Sequence, residues 1–153
     1  MRNFMVAAIV AQPPAWPPGP CRYNGHMAQE KHYEITVGTT TQYLTDQSDE
    51  AADKYVFAYT VTIRNTGTAS AQLISRHWII TDARGKTQEV RGLGVIGAQP
   101  LLRPGESFEY TSGTSITTPV GTMRGRYQMV GEDGARFEAE IPEFTLSVPR
   151  VLH

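Results

Sequence analysis

The feature that most constrains the fold is an alternation of apolar and polar side chains in YVFAYTVTIRN, residues 55–65. The apolar positions recur at every second residue: Tyr55, Phe57, Tyr59, Val61 and Ile63. Successive side chains of a β-strand point to opposite faces of its sheet, so a period of two indicates a strand with one face in a core. This stretch therefore predicts a long antiparallel strand.

The same period recurs along the chain from about Glu30, with no sustained helical period. Further strands are predicted in HYEITV (32–37), SRHWIITD (75–82), KTQEV (86–90), ESFEYTS (106–112), GRYQMV (125–130), ARFEAEI (135–141) and FTLSV (144–148). The turn residues of DARG (82–85) and GEDG (131–134) predict two hairpins. Seven or so short strands of this kind predict an all-β fold, an immunoglobulin-like or fibronectin type III-like antiparallel β-sandwich, with Trp78 in its core.

The first 26 residues differ in composition from the rest of the chain. Five prolines fall within eight positions: Pro13, Pro14, Pro17, Pro18 and Pro20. Such a composition forms neither helix nor sheet. We therefore expect the domain to span residues 27–153, with residues 1–26 as a disordered extension or a misassigned start. Arg2 followed by the apolar FMVAAIVA (4–11) leaves a signal peptide as the alternative.

Length, charge and cysteine content exclude several classes of protein. A chain of 153 residues suits one domain, and it contains no apolar run of the roughly 20 residues that span a bilayer. A net charge of −1 with scattered basic residues argues against nucleic-acid binding. The single cysteine, Cys21, excludes an intrachain disulfide and a cysteine-based zinc site. It suits a reducing compartment, so we expect a cytoplasmic protein with no direct membrane insertion.

A glycine motif, GxGxxG, lies in RGLGVIGAQP, residues 91–100. In dinucleotide-binding folds such glycines place a pyrophosphate at the N-terminus of the helix that follows. Here the prolines of AQPLLRPGE (98–106) exclude that helix. Ala98 and Gln99 also stand where a phosphate-binding Walker motif needs Lys and Ser or Thr. A nucleotide-binding fold of either kind is therefore rejected.

Two interpretations of the glycine motif stay open. The glycines could permit positive φ angles in a tight loop that leaves a strand. Alternatively, the loop could form a backbone nest that binds a small anion. The candidate ligand-binding residues would then be Arg91, Gly92, Gly94, Gly97 and Arg103.

Patterns for catalysis and metal binding are sparse. The sequence has no nucleophile elbow and its histidines are scattered, so we do not expect an enzyme. The loop DQSDEAAD gathers four hard carboxylate donors without the EF-hand spacing: Asp46, Asp49, Glu50 and Asp53. Two strand pairs could also ligate an ion, His32 with Glu34 and Glu138 with Glu140. We predict no resident cofactor, and weak binding of a divalent cation is the hypothesis for the acidic loop.

Five ordered blocks of the chain resemble the ApaG family: YVFAYTVTIRN (55–65), HWIITD (77–82), GLGVIGAQP (92–100), PGESFEYTSG (104–113) and TPVGTMRGRYQM (118–129). The likeness runs from about Met27 to His153 and includes IPEFTLSVP (141–149). This resemblance implies a fibronectin type III-like sandwich and, for bacterial members, a link to cobalt resistance and magnesium efflux. It also implies a protein-interaction role, because eukaryotic proteins carry the domain in an F-box ubiquitin-ligase component and in a DNA polymerase delta-interacting protein.

Together these observations favour a non-enzymatic binding module with an unidentified protein partner. Long strands with open edges also make a homodimer through edge pairing available. A single domain with no spanning element carries no ions across a membrane, so a link to efflux would be indirect. The alternative is a sensor that binds a divalent cation or a phosphorylated metabolite at the 92–100 loop. The module predicts an apolar or aromatic surface patch, whereas the sensor predicts converging carboxylates or several backbone N–H groups in one pocket.

Overall fold

The computed structural model describes residues 32–149, so the predicted extension over residues 1–26 lies outside the described residues. Two three-residue 3-10 helices, Thr45–Gln47 and Glu50–Ala52, accompany the strands. The strands are β1 (Ile35–Tyr43), β2 (Tyr55–Asn65), β3 (Ala71–Asp82), β4 (Thr87–Leu93), β5 (Leu101–Leu102), β6 (Ser107–Ile116), β7 (Val120–Gly131) and β8 (Arg136–Ser147). Neither helix is long and apolar enough to cross a bilayer.

The strands form two antiparallel sheets that enclose one core. The first sheet has the order β1-β2-β6, and the second has the order β4-β3-β7-β8 with β5 also paired to β3. Both sheets contribute to the buried cluster, and its largest fully buried side chains are Trp78, Tyr127 and Phe57. Burying a side chain of this size stabilises the fold by about 1.5–3 kcal/mol. The predicted all-β sandwich and the core position of Trp78 are thus confirmed.

The strand predicted from the alternation over residues 55–65 is β2. It lies between β1 and β6, and this central position explains why Val61 and Ile63 have no exposed surface. Val56 and Ala58, on the opposite face, are also largely buried, although alternation alone predicts that this face is solvated.

Both predicted hairpins are confirmed. The last two predicted strands, 135–141 and 144–148, form a single strand, β8. The turns at 82–85 and 131–134 connect β3 to β4 and β7 to β8, with Gly85 and Gly134 at φ 85° and 86°. Strand β8 continues through Pro142, where two of its residues lie opposite one residue of β7. Proline is tolerated there because β8 is an edge strand and a bulge needs no ladder hydrogen bond.

The sandwich is closed on one side and open on the other. Strand β1 packs against β8 and so joins the two sheets on the closed side. On the opposite side β6 and β4 are the outer strands of their sheets, and no ladder joins them within residues 32–149. The candidate site lies on the open side, between β4 and β6.

Candidate functional site in the cleft between the sheets

A cleft of about 1240 Å³ opens between β4 and β6. Core aromatic side chains lie at its base: Tyr59, Trp78 and Tyr110, each at most 6% exposed. The rings of Tyr59 and Trp78 are edge to face at a centroid distance of 5.3 Å. The partly exposed side chains of Val90 and Ile96 add aliphatic surface from β4 and the glycine loop. A concave cleft that combines apolar side chains with polar groups has the character of a binding site.

An irregularity in β3 determines which of its side chains face the cleft. Leu73 and Trp78 both lie in the core although they are five residues apart, an odd spacing that a regular strand would place on opposite faces. The register of β3 against β7 shifts between Leu73 and Ser75, so Ile74 is an extra residue. Such a bulge reverses the facing of the residues beyond it. It turns Arg76 into the cleft together with Trp78 and Ile80.

Arg76 is the central polar group of the cleft. Its side chain is half-buried, and Nη1 donates hydrogen bonds to the carbonyl oxygens of Gly94 (2.7 Å) and Leu93 (3.2 Å). No carboxylate within residues 32–149 forms an ion pair with Arg76. Among the described residues that line the cleft, the charged ones are Arg76 and Lys54, and both are cations.

Buried hydroxyl groups lie beside the guanidinium. The Tyr110 and Tyr127 hydroxyl oxygens are hydrogen-bonded at 2.7 Å. Burial raises the pKa of Tyr59, Tyr110 and Tyr127, and the positive charge of Arg76 opposes that rise at all three. The tyrosines are therefore neutral at physiological pH, so the cleft presents a cation surrounded by neutral hydroxyls.

The glycine loop is a tight turn. Val95 and Ala98 each donate a backbone hydrogen bond to the carbonyl of the other, at 2.8 and 2.9 Å, and enclose Ile96 and Gly97. Both enclosed residues have positive φ, 41° and 83°, the arrangement of a two-residue type I′ turn. Glycine suits the second position because it adopts positive φ without strain.

The other two glycines of the motif make room for close contacts. Gly94 has φ 65°, its N–H donates to Ile74 O at 2.8 Å, and a Cβ there would lie 2.5 Å from Ala98 O. A Cβ at Gly92 would lie 2.9 Å from Nη2 of Arg76. The N–H groups of Gly94, Val95 and Ala98 are thus engaged within the protein, so the nest hypothesis loses these donors and stays a prediction.

The two arginines predicted to assist the loop do not line the cleft. Arg91 lies beside Glu89, with an N–O distance of 3.2 Å, and Glu89 also contacts His77 at 3.0 Å. Arg103 forms a close pair with Glu106, with Nη2–Oε2 and Nε–Oε2 distances of 2.6 and 2.8 Å. Of the five predicted ligand-binding residues, the structure places Gly92 and Gly94 against the Arg76 guanidinium.

The predicted metal ligands are not brought together. Across residues 32–149, no group of three or more His, Cys, Asp or Glu side chains could hold a metal ion. The predicted acidic ligands are exposed: Asp46, Asp49, Glu50 and Asp53. Glu50 instead accepts a hydrogen bond from the Tyr43 hydroxyl at 2.8 Å. Of the two alternative pairs, Glu138 instead contacts Gln128 and Arg126. His32 and Glu34 do lie side by side, with Nε2 and Oε1 3.7 Å apart, and both are exposed.

Arg76 was not predicted from the sequence. The available signal was the odd spacing between the apolar residues Leu73 and Trp78, which implies an extra residue between them. Recognising the bulge would have placed Arg76 on the inner face of the sheet.

Comparisons with known proteins agree on one family. A family model described as the ApaG domain matches residues 45–131. Protein ApaG of Nitrosospira multiformis is 68% identical over 127 residues, which are 83% of this chain and 100% of that protein. Protein ApaG of Thiobacillus denitrificans is 66% identical with the same coverage. A crystal structure of an ApaA protein from Bordetella pertussis superposes with a TM-score of 0.76 at 60% identity, covering 79% of this chain and 98% of that one.

Proposed function

Because this chain belongs to the ApaG family, as its sequence blocks predicted, we propose that it is a non-catalytic binding module whose open side recognises a partner protein. The observation that carries the proposal is the open side itself. Two strand edges, β4 and β6, border an aromatic cleft and have no further strand beside them within residues 32–149. Exposed strand edges bind extended peptides through main-chain hydrogen bonds, and adjacent pockets select the side chains.

The rim of the cleft supports a protein ligand. Leu93, the last residue of β4, is 75% exposed and directly precedes the glycine loop. Single exposed leucines are common on protein surfaces. This one lies at the end of an edge strand, where a bound segment would cover it. An edge strand, an adjacent cleft and an apolar rim residue together resemble a peptide-binding groove.

The alternative of a divalent-cation sensor has less support. It requires converging carboxylates, and the described acidic residues do not converge. A link to cobalt and magnesium homeostasis, implied by the family resemblance, would then be exerted through the partner protein.

Site-specific photo-cross-linking tests the proposal. Benzoylphenylalanine would replace Gln88, which lines the cleft from β4, or Leu93 at the rim. The matched control is Glu143, an exposed residue of the edge strand β8 on the closed side. In cells that express the protein at its natural level, we expect a discrete adduct from positions 88 and 93 and none from 143.

Other results would redirect or reject the proposal. An adduct at twice the mass of the chain would identify a second copy as the occupant, which is the predicted homodimer. Equal adducts from positions 88 and 143, or none from 88 and 93, would contradict recognition through the open side.

A further inference from the structure

We propose that the cleft contains a carboxylate-binding subsite centred on Arg76, which takes an acidic side chain of the partner's extended segment. The inference rests on the proposed function and deepens it, because it assigns a chemical class to the ligand. Three observations on residues 32–149 support it: the charged residues of the lining are cations, the Arg76 guanidinium is held by hydrogen bonds, and one guanidinium rather than several is present.

The charge of the cleft selects an anion. Removing a guanidinium from water is unfavourable unless an opposite charge compensates it, and buried arginines are therefore generally paired. Arg76 is half-buried, and within residues 32–149 it contacts carbonyl dipoles rather than a carboxylate. The other charged residue of the lining is Lys54, so an acidic ligand meets no described acidic side chain on the cleft wall.

The guanidinium is held in place before any ligand binds. Nη1 is fixed by the carbonyl oxygens of Leu93 and Gly94, while Nη2 lies in the space that a side chain at position 92 would fill. An arginine held this way loses little further freedom when it binds a carboxylate in its planar fork. The glycine loop thus acts on the site by positioning Arg76, while its own N–H groups are engaged elsewhere.

A hydroxyl pair lies near the guanidinium. Tyr59 of β2 and Ser112 of β6 are directly paired across the first sheet, and both line the cleft together with Arg76 of the second sheet. The two side chains are hydrogen-bonded to each other and are neutral, so they add polar surface beside the guanidinium without adding charge. A carboxylate at Arg76 would therefore meet one cation in a neutral polar setting.

This arrangement suits a carboxylate better than a phosphate. A phosphate group carries nearly two negative charges and is usually bound by several arginines or by a nest of free backbone N–H groups. Here one guanidinium is central, and the N–H groups of Gly94, Val95 and Ala98 are already bonded. The partly exposed side chains of Val90 and Ile96 would receive apolar groups that flank the acid.

The subsite can be tested without knowledge of the partner. Trp16→Phe leaves Trp78, in the cleft wall, as the single tryptophan, so its fluorescence reports occupancy. We expect sodium benzoate to change this fluorescence saturably, and neutral benzamide, of the same shape, to have little effect. Arg76→Gln should weaken benzoate binding at least about tenfold, because a charge-assisted hydrogen bond is lost. Arg76→Lys should bind benzoate with an affinity between those of the parent and Arg76→Gln, since it keeps the charge but loses the planar fork.

The matched control is Arg124→Gln, the same substitution at an exposed residue of β7 in the same sheet. It should leave benzoate binding unchanged. The subsite is rejected if benzoate does not saturate, if benzamide binds equally well, or if Arg76→Gln binds like the parent. If Arg76→Gln does not fold, as judged by circular dichroism, Arg76→Lys decides: unchanged binding in that variant rejects a forked contact. Phenyl phosphate binding more tightly than benzoate would reject the carboxylate assignment.

The outcomes separate this inference from the proposed function. Benzoate binding without a cross-link at position 88 would leave the subsite standing and contradict the partner-binding role. Equal cross-linking at position 88 in the parent and in Arg76→Gln, with no benzoate binding, would retain the partner-binding role and reject the subsite.

Discussion

At the scale of single residues, the glycine motif shapes a turn and positions an arginine, and its three glycines do so in different ways. A side chain at position 92 would meet the end of the Arg76 side chain. Gly94 has positive φ, and a side chain there would meet the backbone carbonyl of Ala98. Gly97 has positive φ and open space around it. A side chain added at each position should therefore have a different effect on stability.

Alanine substitution at the three glycines tests these roles. We expect Gly94→Ala to be the most destabilising, by about 2–4 kcal/mol, because positive φ and a backbone clash add together. Gly97→Ala should cost about 1 kcal/mol from φ alone. Gly92→Ala should change the free energy of unfolding least, because position 92 has no positive φ and the clash is with the end of a side chain. The displaced guanidinium would lose its hydrogen bonds to Leu93 and Gly94, so benzoate binding should weaken. Urea denaturation measures all three, and an equal loss in each variant would contradict the ranking.

The buried tyrosines make a second prediction at this scale. Burial raises the pKa of Tyr59, Tyr110 and Tyr127 above the ordinary value of 10.0. In the unfolded chain these hydroxyls ionise near that value, whereas the folded protein keeps them protonated. Their contribution to stability is therefore complete below about pH 10 and is lost as the pH rises further.

Chemical denaturation between pH 8 and pH 11 tests this dependence. The free energy of unfolding should fall above about pH 10, and Tyr127→Phe should reduce that slope, since one raised pKa is removed. At pH 8 the same substitution should lower the free energy of unfolding by about 1–2 kcal/mol, because Tyr110 loses its hydroxyl partner. An unchanged alkaline slope in Tyr127→Phe would contradict the assignment.

The sequence analysis singled out the glycine motif but did not predict that Arg76 lies against it. Proline and glycine act through local backbone rules, so the prolines after the motif were sufficient to exclude a phosphate-binding helix. The facing of Arg76 depends on a bulge at Ile74, which is defined by pairing with β7, about 55 residues later in the chain. The odd spacing of Leu73 and Trp78 indicates an extra residue between them, but only the pairing with β7 places it at Ile74.

At the scale of elements, the predictable parts were those fixed by local chemistry. The turn residues at 82–85 and 131–134 predicted both hairpins, because Asp and Gly favour the required conformations. The continuity of β8 through Pro142 was not predictable from the same rules. Proline breaks a central strand but is tolerated at the edge, and the edge position of β8 becomes known only from the sheet order.

The end of β2 depends on one buried amide. Asn65 is 1% exposed, and its Nδ2 donates to the carbonyl oxygens of Ala69 and Leu102, both at 2.9 Å. Its Oδ1 accepts a hydrogen bond from Gly67 N–H at 2.9 Å. One side chain thereby connects β2, the following loop and β5.

Asn65→Ala should destabilise the domain by about 2–4 kcal/mol, because two buried carbonyls and an N–H lose their partner together. Asn65→Asp should also be destabilising, since a carboxylate cannot donate to the two carbonyls. The neighbouring exposed residue gives a control, Thr66→Ala, with an expected cost below about 1 kcal/mol. Thermal unfolding measures the three variants, and a similar Tm for Asn65→Ala and Thr66→Ala would contradict the linking role.

At the scale of the whole molecule, acid stability depends on carboxylates that are hydrogen-bonded in the fold. Arg103 holds the pKa of Glu106 below its ordinary value of 4.5, mainly through their side-chain hydrogen bonds. The stabilisation is therefore complete above about pH 4.5 and is lost as the pH falls through the lower folded pKa. Glu106→Gln should flatten this part of the stability curve, measured by urea denaturation from pH 3 to pH 7. An equally steep loss in the variant would assign the acid sensitivity to other carboxylates.

The asymmetry of the sandwich makes a prediction about dynamics. Strand β4 is an edge strand beside an open cleft, whereas β7 lies between two neighbours and β8, although also an edge, packs against β1. Local opening requires less energy where fewer apolar contacts cover the backbone. Hydrogen exchange of the backbone amides should therefore be fastest in β4, slower in β8 and slowest in β7.

A ligand in the cleft should slow the hydrogen exchange of β4 and of the adjoining loop without affecting β8. Benzoate at saturating concentration should slow exchange in β4 and in the 94–98 loop, where Arg76 is anchored, and leave β8 unchanged. A peptide partner that adds a strand should protect β4 or β6 more strongly, because it supplies main-chain hydrogen bonds that benzoate lacks. Equal protection of β4 and β8 by either ligand would indicate general stabilisation of the domain and contradict binding at the open side.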